Sequence, residues 1–334
     1  MIKAYWFNNR QGAQDIIHPD FFTPKTFFRV QAEIPNIVGP AEVSISAVCG
    51  GIAVFKNTYA IKEIEQGGIV TLFESADTLE SDPELLEIKI IADGNTYMQS
   101  IECEYAAISG RTTDFSGNPF PAAVIFNMDA FEGIESGMGV WSDEDGYYSV
   151  RLPKGEYNSV FVDDNSYGKT SLEAWGWKMI VDRSETHNFK IGNGEVYSMD
   201  VWANNGGCQS LFVFFRPIVL SCVMQVMAQE DKPLVTVNDK HFRLEELSPD
   251  ISVEDVSVEI NGLKIENILL QKIYEITPDG NAMPAYILQC KRPFGAGKQT
   301  MVLEYNFKDS KGKTAQSQGR TQFHYTNTSG LAVR

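Results

Sequence analysis

The residues best equipped for chemistry crowd into one stretch, DDNSYGKTSLEAWGWKMIVDRSETHNFKIGNGEVYSMDVWANNGG, which runs from 163 to 207. It holds Trp175, Trp177 and Trp202, with Asp163, Asp164, Lys169, Glu173, Asp182, Glu185 and His187 among them. A tryptophan face stacks on a sugar ring or an apolar side chain while adjacent acids and amides bond hydroxyl groups. Trp175 and Trp177 with Asp163, Asp164 and Asn165 therefore form a candidate ligand-binding site. The two tryptophans are two positions apart, so on a strand both face one side, a geometry that equally suits a core stripe or a protein interface. Two carboxylates from Asp163, Asp164, Glu173, Asp182 and Glu185 would also serve a carbohydrate-active hydrolase or lyase, one as acid and one as base or nucleophile. Against that, most charged side chains of an acidic chain simply face water. His187 reads as a surface or hydrogen-bonded residue rather than a catalytic base. Trp141 and Trp202 each interrupt a strand-like pattern and read as core anchors.

Other chemistry lacks its usual signature. Four histidines, His18, His187, His241 and His324, make no close metal spacing. There is no GxSxG elbow, no GxxxxGK[ST] loop and no GxGxxG after a strand, so no catalytic residue, metal or cofactor is expected. The acids of SDEDG at 142–146 raise the question of calcium, but a loop counted from Asp143 needs glutamate at its twelfth position, which is Lys154. An aspartate three positions before a glycine instead fixes a turn: the carboxylate bonds backbone groups ahead of it, and the glycine takes the positive φ. A hairpin between two strands is the expectation there, with Tyr147 and Val150 on one side of the second strand and Tyr148 on the other.

The elements that must position these residues read as strands. FFRVQAEI (27–34), AEVSISAV (41–48), LLEIKIIA (85–92) and YMQSIECEYAAI (97–108) are rich in β-branched or aromatic residues and often alternate, with IPNIVGP, EQGG and ADGN as turns between them. ESADTLESDPELLE, interrupted by Pro83, reads as a solvated connection. Next come ISGRTTDFSGNPFPAAVIFN, MGVWSDEDGYYSVRL and GEYNSVFVDD, with G-R-T-x-D-x-x-G-x-P, W-S-D-E-D-G-Y-Y and L-P-K-G-E-Y in order. On those motifs, residues 108 to about 162 resemble the carboxypeptidase regulatory-like domain, a prealbumin (transthyretin-like) β-sandwich; the resemblance implies fold and little more. Two enzyme families of that fold find no match. The intradiol dioxygenases place their iron-binding histidines close together, whereas the nearest pair here, His187 and His241, is 54 positions apart. The hydroxyisourate hydrolases end in Tyr-Arg-Gly-Ser, whereas this chain ends in SGLAVR.

SLFVFFRPIVL (210–220) then resumes a buried strand pattern, with Pro217 expected at a strand edge or end. Beyond 223, strands are joined by N-G, P-D-G-N and D-S-K-G turns. The expected architecture is all-β: three consecutive β-sandwich domains, immunoglobulin-like over 1–107, carboxypeptidase regulatory-like over 108–222 and immunoglobulin-like over 223–334. Short linkers between them argue for rigid packing.

Length and charge bound the role. A chain of 334 residues holds more than one core. A formal net charge of −16 repels nucleic acid and anionic membrane surfaces. No apolar run approaches the roughly 20 residues of a membrane span. The amino terminus lacks the pattern of a secretory leader, and five scattered cysteines, an odd number, fit reduced buried thiols. A cytoplasmic location is therefore expected, or secretion if a leader has been removed. The sequence points to a non-catalytic binding or scaffold protein, such as an accessory subunit recognising a protein or carbohydrate, and allows an oligomer. The alternatives are the carboxylate hydrolase or lyase and a structural spacer in a larger assembly.

Overall fold

A computed structural model of the chain describes residues 2–10, 26–33, 37–64, 69–128, 137–164, 166–203, 210–229, 231–293, 295–308 and 314–325. Asn165, His18, Cys208 and the D-S-K-G and EQGG turns lie outside the described residues. The first strands are β1 (Lys3–Asn9), β2 (Phe27–Glu33), β3 (Gly39–Cys49), β4 (Ile52–Ile64), β5 (Ile69–Ser75), β6 (Leu85–Ala92) and β7 (Asn95–Glu102). They form a three-stranded sheet, β1-β2-β5, and a four-stranded sheet, β4-β3-β6-β7. Alternation does the work the sequence promised: Val43, Ile45 and Ala47 of β3 and Leu86, Ile88 and Ile90 of β6 point into one core with Trp6, Phe28 and Val30. The ADGN turn is a tight hairpin, with Asp93 and Gly94 both at positive φ and Ala92 opposite Asn95.

The central strands are β8 (Tyr105–Asp114), β9 (Ala123–Asn127), β10 (Met138–Trp141), β11 (Tyr147–Pro153), β12 (Gly155–Asp163), β13 (Ala174–Val181), β14 (Glu185–Thr186) and β15 (Phe189–Ile191). The strand expected over 97–108 is therefore two, parted at Cys103 and Glu104, with β7 paired to β6 and β8 to β11. One central sheet runs β11-β8-β14, with β15 also on β8, and the other runs β10-β9-β12-β13. Between them lie Ile108, Phe126, Val150, Tyr157, Val160 and Phe189.

The acid turn is where the structure departs from the hairpin expectation. Asp143 Oδ1 accepts from the N–H groups of Asp145 (3.0 Å) and Tyr147 (2.7 Å), and Gly146 has φ +82°, as the motif requires. The strands it joins, however, lie in different sheets, so the turn carries the chain from one layer to the other. The D-F-S-G turn at Asp114 does the same between β8 and β9, with Asp114 Oδ1 accepting from Ser116 and Asn118, both at 2.8 Å. Tyr148 and Val150 point inward together while Tyr147 is exposed, because inward positions recur every two residues and Tyr147 is three from Val150.

The remaining elements are β16 (Gly194–Ala203), β17 (Ser210–Val219), helix α1 (Leu220–Ala228), β18 (Leu234–Val237), β19 (Lys240–Leu244), β20 (Val256–Ile260), β21 (Leu263–Ile265), β22 (Asn267–Ile276), β23 (Asn281–Lys291), β24 (Gly297–Lys308) and β25 (Thr314–Tyr325). A six-stranded sheet, β16-β17-β23-β19-β18 with β22 on β23, faces β25-β24-β20-β21 across a core of Val213, Phe215, Val258, Leu288, Leu303 and Tyr305. β16 and β17, which fall within the 108–222 segment of the expected division, supply Val196, Leu211, Val213 and Phe215 to this third core. Pro217 sits beyond the last β17–β23 pair, Phe215 with Tyr286, where its missing N–H breaks no ladder on that side.

Two seams join the three cores. Phe7 and Phe27 turn outward from β1 and β2 into the central core, where Phe7 lies 6.2 Å from the Tyr157 ring. Along the other seam, β13 pairs in parallel with β25, Trp175 opposite Gly319 and Trp177 opposite Thr321, so that one eight-stranded sheet spans the central and third cores.

Candidate functional site

Nearly all of the candidate residues collect at this second seam, and strand alternation shows why. Asp163 and Phe161 share one face of β12; Glu173, Trp175 and Trp177 share the same face across β13, where Phe161 is paired with Trp175. The opposite face, with Val160, Val162 and Ala174, fills the central core, and Met179 joins it because Lys178, at φ 52°, breaks the alternation. The sheet is thus buried on both sides, and its second face is covered at this point by β16, whose own alternation sends Val196 into the third core and Glu195 and Tyr197 toward β13. Gly319 makes the close approach feasible: a Cβ there would stand 2.5 Å from the Val196 side chain.

Trp175 and Trp177 stack on each other with centroids 4.8 Å apart, and both meet Tyr197 edge to face at 5.6 and 5.3 Å. The Trp177 indole N–H donates to the Val196 carbonyl at 3.2 Å. Trp175 is only 8% exposed. These aromatic faces are therefore occupied by protein. Trp202, expected as a core anchor, is 37% exposed and stacked on Phe212, because the β-bulge between Tyr197 and Asp200 shifts the β16 register and leaves position 202 on the outer side.

The acids behind the tryptophans are buried as well. Asp163 is fully excluded from solvent, its Oδ1 accepting from the Asp164 N–H at 2.7 Å and the Ser171 hydroxyl at 3.3 Å. Glu173 and Glu195 are 6% and 7% exposed. The Glu195 carboxyl lies against that of Glu173, and the Tyr167 hydroxyl faces Glu173 as well. The Trp175 indole N–H lies close enough to favour the Glu195 anion without completing a well-formed hydrogen bond. Burial, then the Glu173 carboxyl, pushes Glu195 well above the usual carboxylate range. Burial likewise raises Asp163 to about 8, with Asp164 and Glu173 adding to the shift. Asp164 sits at the rim, its Oδ1 capping the Ser166 turn.

Asp182, Glu185 and His187 belong to a second group on the same seam. Lys298 reaches from β24 to Asp182 (2.5 Å) and Glu185 (2.8 Å), and these contacts hold Asp182 below its ordinary value. Glu185 falls to about 2: burial alone would raise it, but bonds from His187, Lys298 and Gln322 overcome that cost. His187 is 4% exposed, and its Nδ1 lies 2.8 Å from Arg320 Nη1. A guanidinium can only donate, so Nδ1 is the acceptor and the proton sits on Nε2, 3.4 Å from Glu185 Oε2. Burial keeps this imidazole neutral by lowering its pKa. The expectation of a hydrogen-bonded histidine holds, though at a buried rather than a surface position.

The five candidate acids thus separate into two clusters. Sequence reasoning missed Glu195, Tyr197 and Tyr167. The alternation Glu195-x-Tyr197 repeats the pattern Glu173-x-Trp175-x-Trp177 and was the available signal. Among the described residues, no group of three or more histidines, cysteines, aspartates or glutamates is arranged to hold a metal ion. Among them too, no helix is long and apolar enough to cross a membrane. Cys49, Cys103, Cys222 and Cys290 all carry thiols; Cys290 is buried and the other three are half-buried.

No protein-family model matches the chain, and neither does any curated protein. Among solved structures it is similar to a protein from Bacteroides uniformis ATCC 8492 thought to bind carbohydrate, at 11% identity over 66% of this chain and 98% of that one, with a TM-score of 0.22. It is also similar to BcpA, the major pilin subunit of Bacillus cereus, at 10% identity, 67% and 70% coverage and a TM-score of 0.20. A streptococcal ancillary pilin gives 9%, 87% and 94%, and 0.20. Scores of this size assign the chain neither a shared topology nor a shared activity.

Proposed function

We propose that the chain is a non-catalytic scaffold of three β-sandwich domains, over about 1–104, 105–191 and 194–325, that acts by binding a protein or carbohydrate. The middle domain is read as carboxypeptidase regulatory-like on its D-x-x-G crossings. One observation carries the non-catalytic reading: the acids and tryptophans that would furnish a reactive cleft are spent on the seam between two sandwiches, with Asp163 0% and Trp175 8% exposed. A hydrolase needs its carboxyl pair open to a sugar and a water; Asp163 and Glu173 are closed to both, and Asp182 and Glu185 are tied to Lys298. The rigid seams also favour a spacer role, in which the domains hold a recognition surface at a fixed distance.

The recognition surface lies on the first sandwich. The outer face of β3, β4, β6 and β7 forms a trough of about 450 Å³, with Ser44, Ser46 and Ser100 at its floor and Lys56, Glu87 and Lys89 beside them. Short hydroxyls between longer charged side chains leave a concave floor of donors and acceptors, suited to sugar hydroxyls or peptide amides. Titration of the purified chain against glycan and lysate-partner arrays tests this. Saturable binding that Ser44→Tyr abolishes supports the reading; binding unaffected by Ser44→Tyr, or turnover of any glycan, overturns it.

A further inference from the structure

Asp163, Glu173 and Glu195 come from three places in the chain, the end of β12, the lead into β13 and the start of β16. Each is more than nine-tenths buried, and Asp163 Oδ2 and Glu173 Oε2 have no hydrogen-bond partner. An orphaned, desolvated carboxylate oxygen is costly, and a protonated one far less so. Two buried carboxyl groups set against each other, as those of Glu173 and Glu195 are, cannot both carry a charge cheaply. We propose that the three carboxyls form a proton-held latch that fastens β16, and with it the 194–325 sandwich, to the outer face of β12 and β13, and that the joint loosens when base removes those protons. This does not depend on what the protein binds.

The groups surrounding the latch agree. From the 166–171 turn, Tyr167 faces Glu173 while Lys169 is exposed; from β24, Tyr305 faces Glu195; Asp164 adjoins Asp163; and Cys222 of α1 lies beyond Tyr305. Burial and the neighbouring acids dominate Asp163 and Glu195, with no lysine or arginine among their chief influences. The sign follows from proton binding. Both groups titrate higher folded than unfolded, so the folded joint holds more protons and its stability falls as pH rises. For Asp163 the contribution is complete below 3.8 and lost through about 8. Above 6.5 an unfolded histidine is already mostly neutral, so His187 contributes little there and the latch can be read by itself.

The test uses the full chain. Infrared spectra at neutral pH should show protonated carboxyl groups that diminish in Glu195→Gln and in Asp163→Asn. Hydrogen exchange at Trp175–Trp177 and Gly319–Thr321, corrected for intrinsic rates, should give a wild-type opening constant that rises between pH 6.5 and about 8, by up to about tenfold per pH unit for each proton lost. Each amide variant should flatten that slope by one proton. A flat wild-type profile, or no protonated carboxyl signal, overturns the latch even if neither variant folds. So do slopes unchanged in both variants, or a joint tightened by millimolar Ca²⁺ at pH 8, which would make the cluster a cation site.

Discussion

Replacing Arg320 tests the buried polar half of the second seam. Its guanidinium lies on β25 at 7% exposure, bonds His187 Nδ1 at 2.8 Å and the Asn188 carbonyl at 2.6 Å, and covers the Phe189 ring at 5.2 Å. Arg320→Ala leaves the buried His187 Nδ1 unpaired, at about 1–3 kcal/mol, removes the bond to the carbonyl of the exposed Asn188, at about 1 kcal/mol, and opens a void over Phe189. Removing the charge returns its own desolvation cost, which lowers the pKa of this arginine in the folded chain. The balance is a loss of about 2–5 kcal/mol, while Arg320→Met, which refills the space without the charge, should lose less. Chemical denaturation followed by far-UV circular dichroism and by tryptophan fluorescence would report the transition that includes the seam. An Arg320→Ala midpoint within about 0.5 kcal/mol of wild type, the range of an ordinary surface change, would refute the reasoning.

Two further outcomes follow from the same geometry. Nitrogen NMR of His187 should show the Nε2–H tautomer and a neutral ring at pH 7, with protonation only below the ordinary histidine range; an Nδ1–H ring would reverse the assigned bond with Arg320. Gly146→Ala should cost more than about 1 kcal/mol by thermal melting, because the residue sits at φ +82° and a Cβ would stand 2.2 Å from the Thr112 carbonyl oxygen; a neutral effect would contradict the sheet-crossing turn.

Most strands were legible because alternation is local: β3, β6, β11 and β23 each declare their inner face within a few residues. The turns were legible where glycine or asparagine must take positive φ, as at Gly94, Gly146, Asn261 and Gly262. Strand partners were not. The D-E-D-G turn looks the same whether it joins neighbours in one ladder or crosses between layers, because the bonds its motif dictates, from the Asp145 and Tyr147 N–H groups to Asp143 Oδ1, are internal to the turn. The β13–β25 ladder joins segments far apart in the chain, which no local pattern announces. Helix α1 carried no signal either: its first turn has no acid, its last no base, and no side chain caps its start. At the candidate site, sequence placed Trp175 and Trp177 on one face but could not tell a ligand from β16 as the occupant of that face.

The account rests on the central and third sandwiches moving as one body. Amide relaxation measured by NMR on the intact chain tests it most directly, through the rotational correlation times of residues 105–191 and 194–325. A single shared value at neutral pH is the predicted result. Two distinct values, each shorter than the intact chain requires, would show sandwiches that tumble independently and would contradict the fused seam.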